Sequence, residues 1–214
     1  VEGDSAGGSA KSARNRETQA IYPLRGKILN VANATSAKLA QNEALSNLML
    51  ALGVGTGARY KDDDLRYERV IVMTDADVDG AHIASLLITF FYQEMRELIE
   101  NGHLYLAVPP LYKIAHKAEV AYARDEIHRD LLLGTQFKGR TPDVTRFKGL
   151  GEMDFKDLKS TTMDPKNRLL LRVEAGDGDK SILAEIVNSL MGSKPEARFR
   201  FIQDRAAFAK DLDI

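Results

Sequence analysis

Three aspartates at alternate positions, Asp75, Asp77 and Asp79, stand between the apolar run 70–73 and Gly80. In extended backbone alternate side chains share a face, so the carboxylates of Asp75 and Asp77 can converge. Two carboxylates about 4 Å apart repel by roughly 4 kcal/mol at an effective dielectric of about 20, and a third adds to the conflict. A hard divalent cation relieves it, and an all-oxygen donor set suits Mg²⁺, Mn²⁺ or Ca²⁺. Three other readings compete. D-x-D-x-D-G also opens an EF-hand, but the twelfth position here is Leu86 rather than Glu, and an apolar strand pattern precedes it rather than a helix. An aspartyl-phosphate phosphatase would use Asp75 as nucleophile and Asp77 as acid. A solvated acidic turn needs no ligand at all.

The neighbouring residues supply the elements that position these acids. Residues 70–73 read as a short buried strand. After Gly80, Ile83, Leu86, Leu87, Phe90, Phe91, Met95, Leu98 and Ile99 recur at helical spacing and predict one long amphipathic helix. Asp79 is expected to cap it, since a helix start favours an acceptor and a negative charge. The acids therefore sit where a strand meets its helix, at the end of the sheet where α/β folds bind ligands.

Composition narrows the field. The chain has 214 residues, 44% hydrophobic and 29% charged, as ordinary globular proteins do. Its net charge of −1 gives no global basic signature, so nucleic-acid contact must come from a local patch. It has no cysteine, which excludes disulfides and thiolate metal sites and fits a reducing cytosol. No apolar run is long enough to span a bilayer and no signal peptide is visible. A first residue that is Val, directly ahead of a motif, suggests a piece of a longer chain.

Along the chain, Glu2 and Asp4 flank Gly3 ahead of a small-residue helix start. Small residues there let backbone N–H groups approach an anion; tight helix packing explains them equally well. Lys11, Arg14, Arg16, Arg25 and Lys27 form a basic run, either plain surface charge or a patch that follows phosphates. Residues 20–24 read as a short edge strand around Pro23. Residues 36–52 predict a helix broken near Asn42, with Leu45, Leu48, Met49 and Leu52 on its apolar face and Gly53 as its C-cap. The G-x-G-x-x-A at 53–58 follows a helix rather than a strand, which rejects a dinucleotide site. Asp62, Asp63 and Asp64 read as a loop capping a turn at Leu65. Strands are expected at 104–108, 111–115, 120–123 and 169–173, and helices at 125–133 and 154–158, with a glycine-hinged loop over 146–153. Residues 182–190 and the segment from Pro195 with Phe199, Phe201, Ile202 and Phe208 predict two tail helices, read as an interaction appendage against the alternative of simple packing.

Six stretches together resemble one family: EGDSAGGSAK at 2–11, PLRGKILN at 23–30, DADVDG at 75–80, PPLYK at 109–113, KGLGEM at 148–153 and TTMDP at 161–165. In this order they are similar to the TOPRIM-containing B subunits of type IIA bacterial DNA topoisomerases, and the likeness covers nearly the whole chain. Phe147, the short segment between Lys113 and Arg146, and Ala13–Arg14 after Ser12 favour the topoisomerase IV type over the gyrase type.

The resemblance implies an α/β TOPRIM, Rossmann-like fold with a mostly parallel central sheet flanked by helices, plus a helical C-terminal extension. It divides the chain into a core (1–115), a tail segment carrying the KGLGEM loop (116–178) and a helical appendage (179–214). It implies Mg²⁺ held by Glu2, Asp75, Asp77 and Asp79, with Mn²⁺ or Ca²⁺ able to substitute in binding, and catalytic roles for Glu2, Asp75 and Asp77, Glu2 as general acid/base. Lys11, Arg25, Lys27 and Lys148 would contact double-stranded DNA, and Asp4 and Arg25 would flank an inhibitor pocket. The attacking tyrosine belongs to an A subunit of ParC or gyrase A type in a heterotetramer, so none of the seven tyrosines here is the expected nucleophile. ATP would be used only in the N-terminal part of the B subunit, absent here, and the enzyme is expected in the bacterial cytoplasm with the nucleoid. A stand-alone TOPRIM nuclease lacks the KGLGEM and TTMDP stretches; a purely structural segment would leave the acidic set without purpose.

Overall fold

The computed structural model describes residues 1–26, 28–176 and 180–208. The β-branched run of β1 (Val70–Val72) pairs in parallel with β2 (Leu104–Val108), in register Val70 to Leu104 and Val72 to Leu106. On its other side β2 pairs antiparallel with β6 (Leu169–Arg172). Beyond β1, the Glu2 N–H donates to the Met73 carbonyl (3.0 Å), and Glu2 forms a parallel bridge to Leu24. The expected strand at 20–24 is therefore reduced to a short ladder against residues 1–3, in which Gly3 N–H reaches Leu24 O at 2.9 Å.

Helices cover this sheet. α1 (Asp4–Ala13) follows Glu2 at once, and α2 (Ser36–Gln41) and α3 (Glu43–Leu52) meet at Asn42, whose side chain accepts the Leu45 N–H at 3.0 Å. The expected break is there because that cap satisfies one of the free N–H groups of the new helix. Gly53 ends α3 at φ 84°, the left-handed conformation that favours glycine. The main core gathers Leu45, Leu52, Val72, Leu86, Phe90, Phe91, Met95, Leu98 and Leu104. Phe90 and Phe91 meet edge to face at 5.2 Å.

The single long helix expected after Gly80 is two. α4 (Val78–Glu94) stops at Met95, whose backbone leaves the helical region (φ −141°, ψ 53°), and α5 (Arg96–Glu100) resumes. Across that break Met95, Leu98 and Ile99 are all buried, so the apolar spacing persists while the backbone changes direction. The Asp62–Asp64 stretch is a 3-10 turn whose N-cap position is Lys61, with no side-chain cap. Asp62 instead accepts from the Tyr60 hydroxyl at 2.7 Å and faces His103 Nε2 at 3.3 Å.

A second sheet has β3 (Tyr112–His116) at its centre, antiparallel to both β4 (Glu119–Ala123) and β5 (Asp143–Arg146). The hairpin joining β3 to β4 turns at Lys117, φ 55°. α6 (Glu126–Gly134), capped by Asp125, packs on it over Tyr112, Ile114, Ala123 and Phe137. α7 (Phe155–Ser160) starts at the expected cap Asp154, which accepts from Lys156 and Asp157 N–H. In the tail, α8 (Lys180–Met191) and α9 (Pro195–Arg205) pack on each other, and the side chains of Asn30 and Asn33 donate to the Met191 carbonyl (2.8 and 3.2 Å). Ile182, Ile186, Phe199, Phe201 and Ile202 stay exposed on them. Among the described residues no helix is long and apolar enough to cross a membrane.

Candidate metal centre

The acids meet at the carboxyl end of β1. The backbone bond from Glu2 to Met73 sets the Glu2 side chain beside that end, and its Oε2 accepts the Asp75 N–H at 3.1 Å. Burial raises the Glu2 carboxyl above its ordinary pKa; the Asp75 N–H opposes this, and repulsion from Asp75, Asp77 and Asp79 adds to it. All four expected acids thus belong to one electrostatic group.

Their roles differ from the expectation in one respect. Asp77, not Asp79, caps α4: its Oδ1 accepts the Gly80 N–H at 2.7 Å, and Asp79 lies inside the first turn. A Cβ on Gly80 would lie 2.1 Å from the Asp75 carbonyl oxygen. The helix must therefore begin against the strand end, and the chain turns at Asp77. Because α4 starts at Val78, the stretch from Asp75 is no calcium-binding EF-hand loop. Asp77→Ala is expected to lower stability by about 1 kcal/mol through the lost cap, and Asp77→Asn, which keeps an acceptor oxygen, by only a few tenths. Urea unfolding of the two variants checks this; equal losses would remove Asp77 from the cap.

Asp75 is clasped by the KGLGEM loop. Its Oδ1 accepts the Leu150 N–H at 2.7 Å, and a Cβ on Gly149 would stand 2.6 Å from its Oδ2. With any larger residue there, the Asp75 carboxylate would have to move from this position. The loop is held by Phe147 N–H to the Leu111 carbonyl (2.9 Å) and by Lys148 N–H to the Glu152 carboxylate (2.8 Å). Its apolar side chains Phe147, Leu150 and Met153 pack with Met73, Leu158 and the Ala6, Ala10 and Ala13 face of α1. The small residues of α1 thus serve packing: Ala6, Ala10 and Ala13 admit the loop and α7, and a Cβ on Gly7 would meet Pro23 at 2.9 Å. Gly149 and the Leu150 amide are site groups that residue-type reasoning missed. The close glycines of KGLG were the available signal, but a backbone donor carries no signature in residue type.

The basic residues are less gathered. Arg25 pairs with Asp4 (3.0 Å), and both side chains are largely exposed, 82% and 65%. Lys11 is exposed in the last turn of α1, and Lys148 is exposed next to the glycine that touches Asp75. Lys27 lies outside the described residues, as does the 178/179 boundary. All seven tyrosines are engaged elsewhere. Tyr22, Tyr60, Tyr112 and Tyr122 hydroxyls bond Ala44 O, Asp62, Glu126 and Asp157; Tyr92 and Tyr105 lie under Arg96 and Arg69; Tyr67 packs on the main core.

The donor chemistry suits a hard cation: oxygen ligands only, in a group where burial, with added repulsion from the other acids, discourages ionisation of Glu2. Among the described residues, no three acids stand close enough as placed to enclose an ion. Asp75 and Asp77 each spend an oxygen on a backbone N–H and keep further lone pairs.

Comparison with known proteins identifies the family. A Toprim domain model matches residues 1–109, and a model of the DNA gyrase B subunit carboxyl terminus matches residues 138–203. Over its whole length the chain is 63% identical to the B subunit of DNA topoisomerase 4 from Caulobacter vibrioides and 61% identical to that from Bartonella bacilliformis, covering 31% of each. It is 50% identical to the B subunit of DNA gyrase from Spiroplasma citri, covering 33% of it. The chain therefore spans about a third of the length of these relatives.

Proposed function

The chain belongs to the Toprim family of type IIA topoisomerase B subunits, and from that membership we propose that it is the metal-holding half of a DNA strand-cleavage site, of the topoisomerase IV kind. The observation that carries this is that Asp75, Asp77 and Asp79 all act electrostatically on Glu2 at the end of β1, with Asp75 held by the KGLGEM loop. Glu2, Asp75, Asp77 and Asp79 would hold Mg²⁺, which Toprim domains bind in general. When bound, it neutralises phosphate oxygens and stabilises a leaving 3′ oxygen.

The remaining work falls to the chain itself. Glu2, less acidic than an ordinary glutamate, holds and returns the proton of the 3′ oxygen during cutting and resealing. Asp75, fixed by the Leu150 N–H, keeps a constant orientation through both directions. Lys11, Arg25, Lys27 and Lys148 contact backbone phosphates of double-stranded DNA. Asp4 and Arg25, which pair with each other, would flank the inhibitor pocket that the resemblance implies. In this reading the nucleophile comes from an A subunit of ParC or gyrase A type in a heterotetramer, as for the B subunits the chain is similar to. ATP is handled by other parts of the B subunit. The working enzyme would decatenate and relax DNA in the bacterial cytoplasm. A gyrase role is the second reading, and identity of 53–63% to topoisomerase 4 B subunits against 50% to the Spiroplasma citri gyrase B subunit favours the first.

Reconstitution tests this. The full B subunit combined with an A subunit should cleave and reseal DNA with Mg²⁺, and the present chain alone should nick nothing. Arg25→Ala and Lys148→Ala should each flatten the log–log salt dependence of DNA binding by about one unit. Metal-dependent nicking by the chain alone, abolished in Glu2→Gln, would replace this reading with an independent nuclease.

A further inference from the structure

Next to the loop that clasps Asp75 lies a half-buried polar cluster, centred on buried Asp157, that the proposed chemistry does not use. Lys113 on β3 and Tyr122 on β4 are direct cross-strand partners, so their side chains leave the sheet on one face. Both converge on Asp157 of α7. Lys113 Nζ reaches its two oxygens at 2.7 and 2.9 Å, and the Tyr122 hydroxyl donates to Oδ1 at 2.8 Å. The Asp157 side chain is 7% exposed.

We infer that Lys113, Tyr122 and Asp157 are positioning residues that set the orientation of Asp75 through the 147–153 loop, without touching the acids. The inference rests on the metal-site reading above. A carboxylate that accepts three charge-assisted or hydroxyl bonds in a buried place has one location, and α7 is fixed with it. From Asp157 the chain runs back through the Asp154 cap and buried Met153 to the 3-10 turn Leu150–Glu152, whose first N–H is the donor to Asp75. The other end of the loop is fixed by Phe147 N–H to Leu111 O. Leu111 and Lys113 belong to the same short stretch at the start of β3, so both loop anchors refer to one rigid strand. At Gly149 the loop and the Asp75 carboxylate are closer than a methyl group would allow. A shift of α7 is passed along the loop to the Leu150 amide, and so to the Asp75 carboxylate that this amide holds. The cluster acts as an outer shell that orients a metal ligand.

The test uses the full-length B subunit. Tyr122→Phe removes one hydroxyl, and Lys113→Met with Asp157→Leu removes the network while keeping volume. Mn²⁺ affinity is read by electron paramagnetic resonance, and hydrogen exchange at the Leu150 amide is measured without metal. The double variant should bind Mn²⁺ about tenfold more weakly and exchange Leu150 faster, with Tyr122→Phe moving both in the same direction. Asp75→Ala is the reference and must weaken Mn²⁺ binding. Folded network variants with parental affinity and parental Leu150 exchange, beside a weakened Asp75→Ala, overturn the inference alone. An Asp75→Ala variant that binds Mn²⁺ as the parent does would take down the metal-site reading, and this inference with it.

Discussion

Glu2→Gln in the assembled enzyme is expected to slow DNA cleavage and resealing together by about 10²-fold or more, the usual cost of losing general acid–base help. The fold should not suffer. Glutamine keeps an oxygen to accept the Asp75 N–H, and it removes a charge that burial and three neighbouring acids oppose. Because the folded-state pKa of Glu2 is raised, its stabilising contribution is whole at low pH and is lost as pH rises through that value. Ionised Glu2 is thus a burden at neutral pH, and Glu2→Gln should make the protein more stable there. The gain should fade on acidification, where the parent takes up the proton itself. Unfolding curves at several pH values, set beside single-turnover cleavage, check both halves. A variant that loses activity and stability in parallel at neutral pH would make Glu2 a structural residue.

The second large effect concerns Asp157. Asp157→Ala leaves Lys113 with its charge turned toward a largely buried place, and breaking a buried ion pair from one side costs about 3–5 kcal/mol. The Lys113 side chain keeps 26% exposure, so the lower end, about 3 kcal/mol, is expected. Lys113→Met together with Asp157→Leu should recover much of that loss, since matched apolar replacement removes both desolvation costs. The hydrogen bonds to Asp157 raise the Lys113 pKa, so the lysine's contribution is complete at neutral pH and is lost as pH rises through its raised folded value. Urea denaturation of the single and double variants measures this. A single variant with unchanged stability would show that the pair is not coupled to folding.

What the residues revealed in advance follows the reach of each signal. The strand–acid–helix junction was legible because a β-branched run, three acids and a helical spacing adjoin within about thirty residues of chain. The sequence points to Asp79 as readily as to Asp77 for the cap, because both acids suit a helix start. What decides is the approach of Gly80 to the Asp75 carbonyl, a contact in space. The halt of α4 at Met95 left the apolar spacing untouched and so left no mark in the sequence. β5 carries one aliphatic residue, Val144, in four exposed positions, too little alternation to announce a strand; its partner β3 makes it one. The Leu150 amide and the Lys113–Asp157 pair join residues 75 and 44 positions apart, beyond the range of any local pattern. The family likeness supplied the KGLGEM motif, and the fold supplied its contact with Asp75.

The central claim is that Glu2, Asp75, Asp77 and Asp79 form one divalent-cation site. Its most direct test is calorimetric titration of Mg²⁺ and Mn²⁺ into the full B subunit with DNA, for the parent and for Asp75→Ala and Asp77→Ala. The parent should bind, and both variants should bind substantially more weakly while remaining folded. Unchanged affinity in both folded variants would contradict the account.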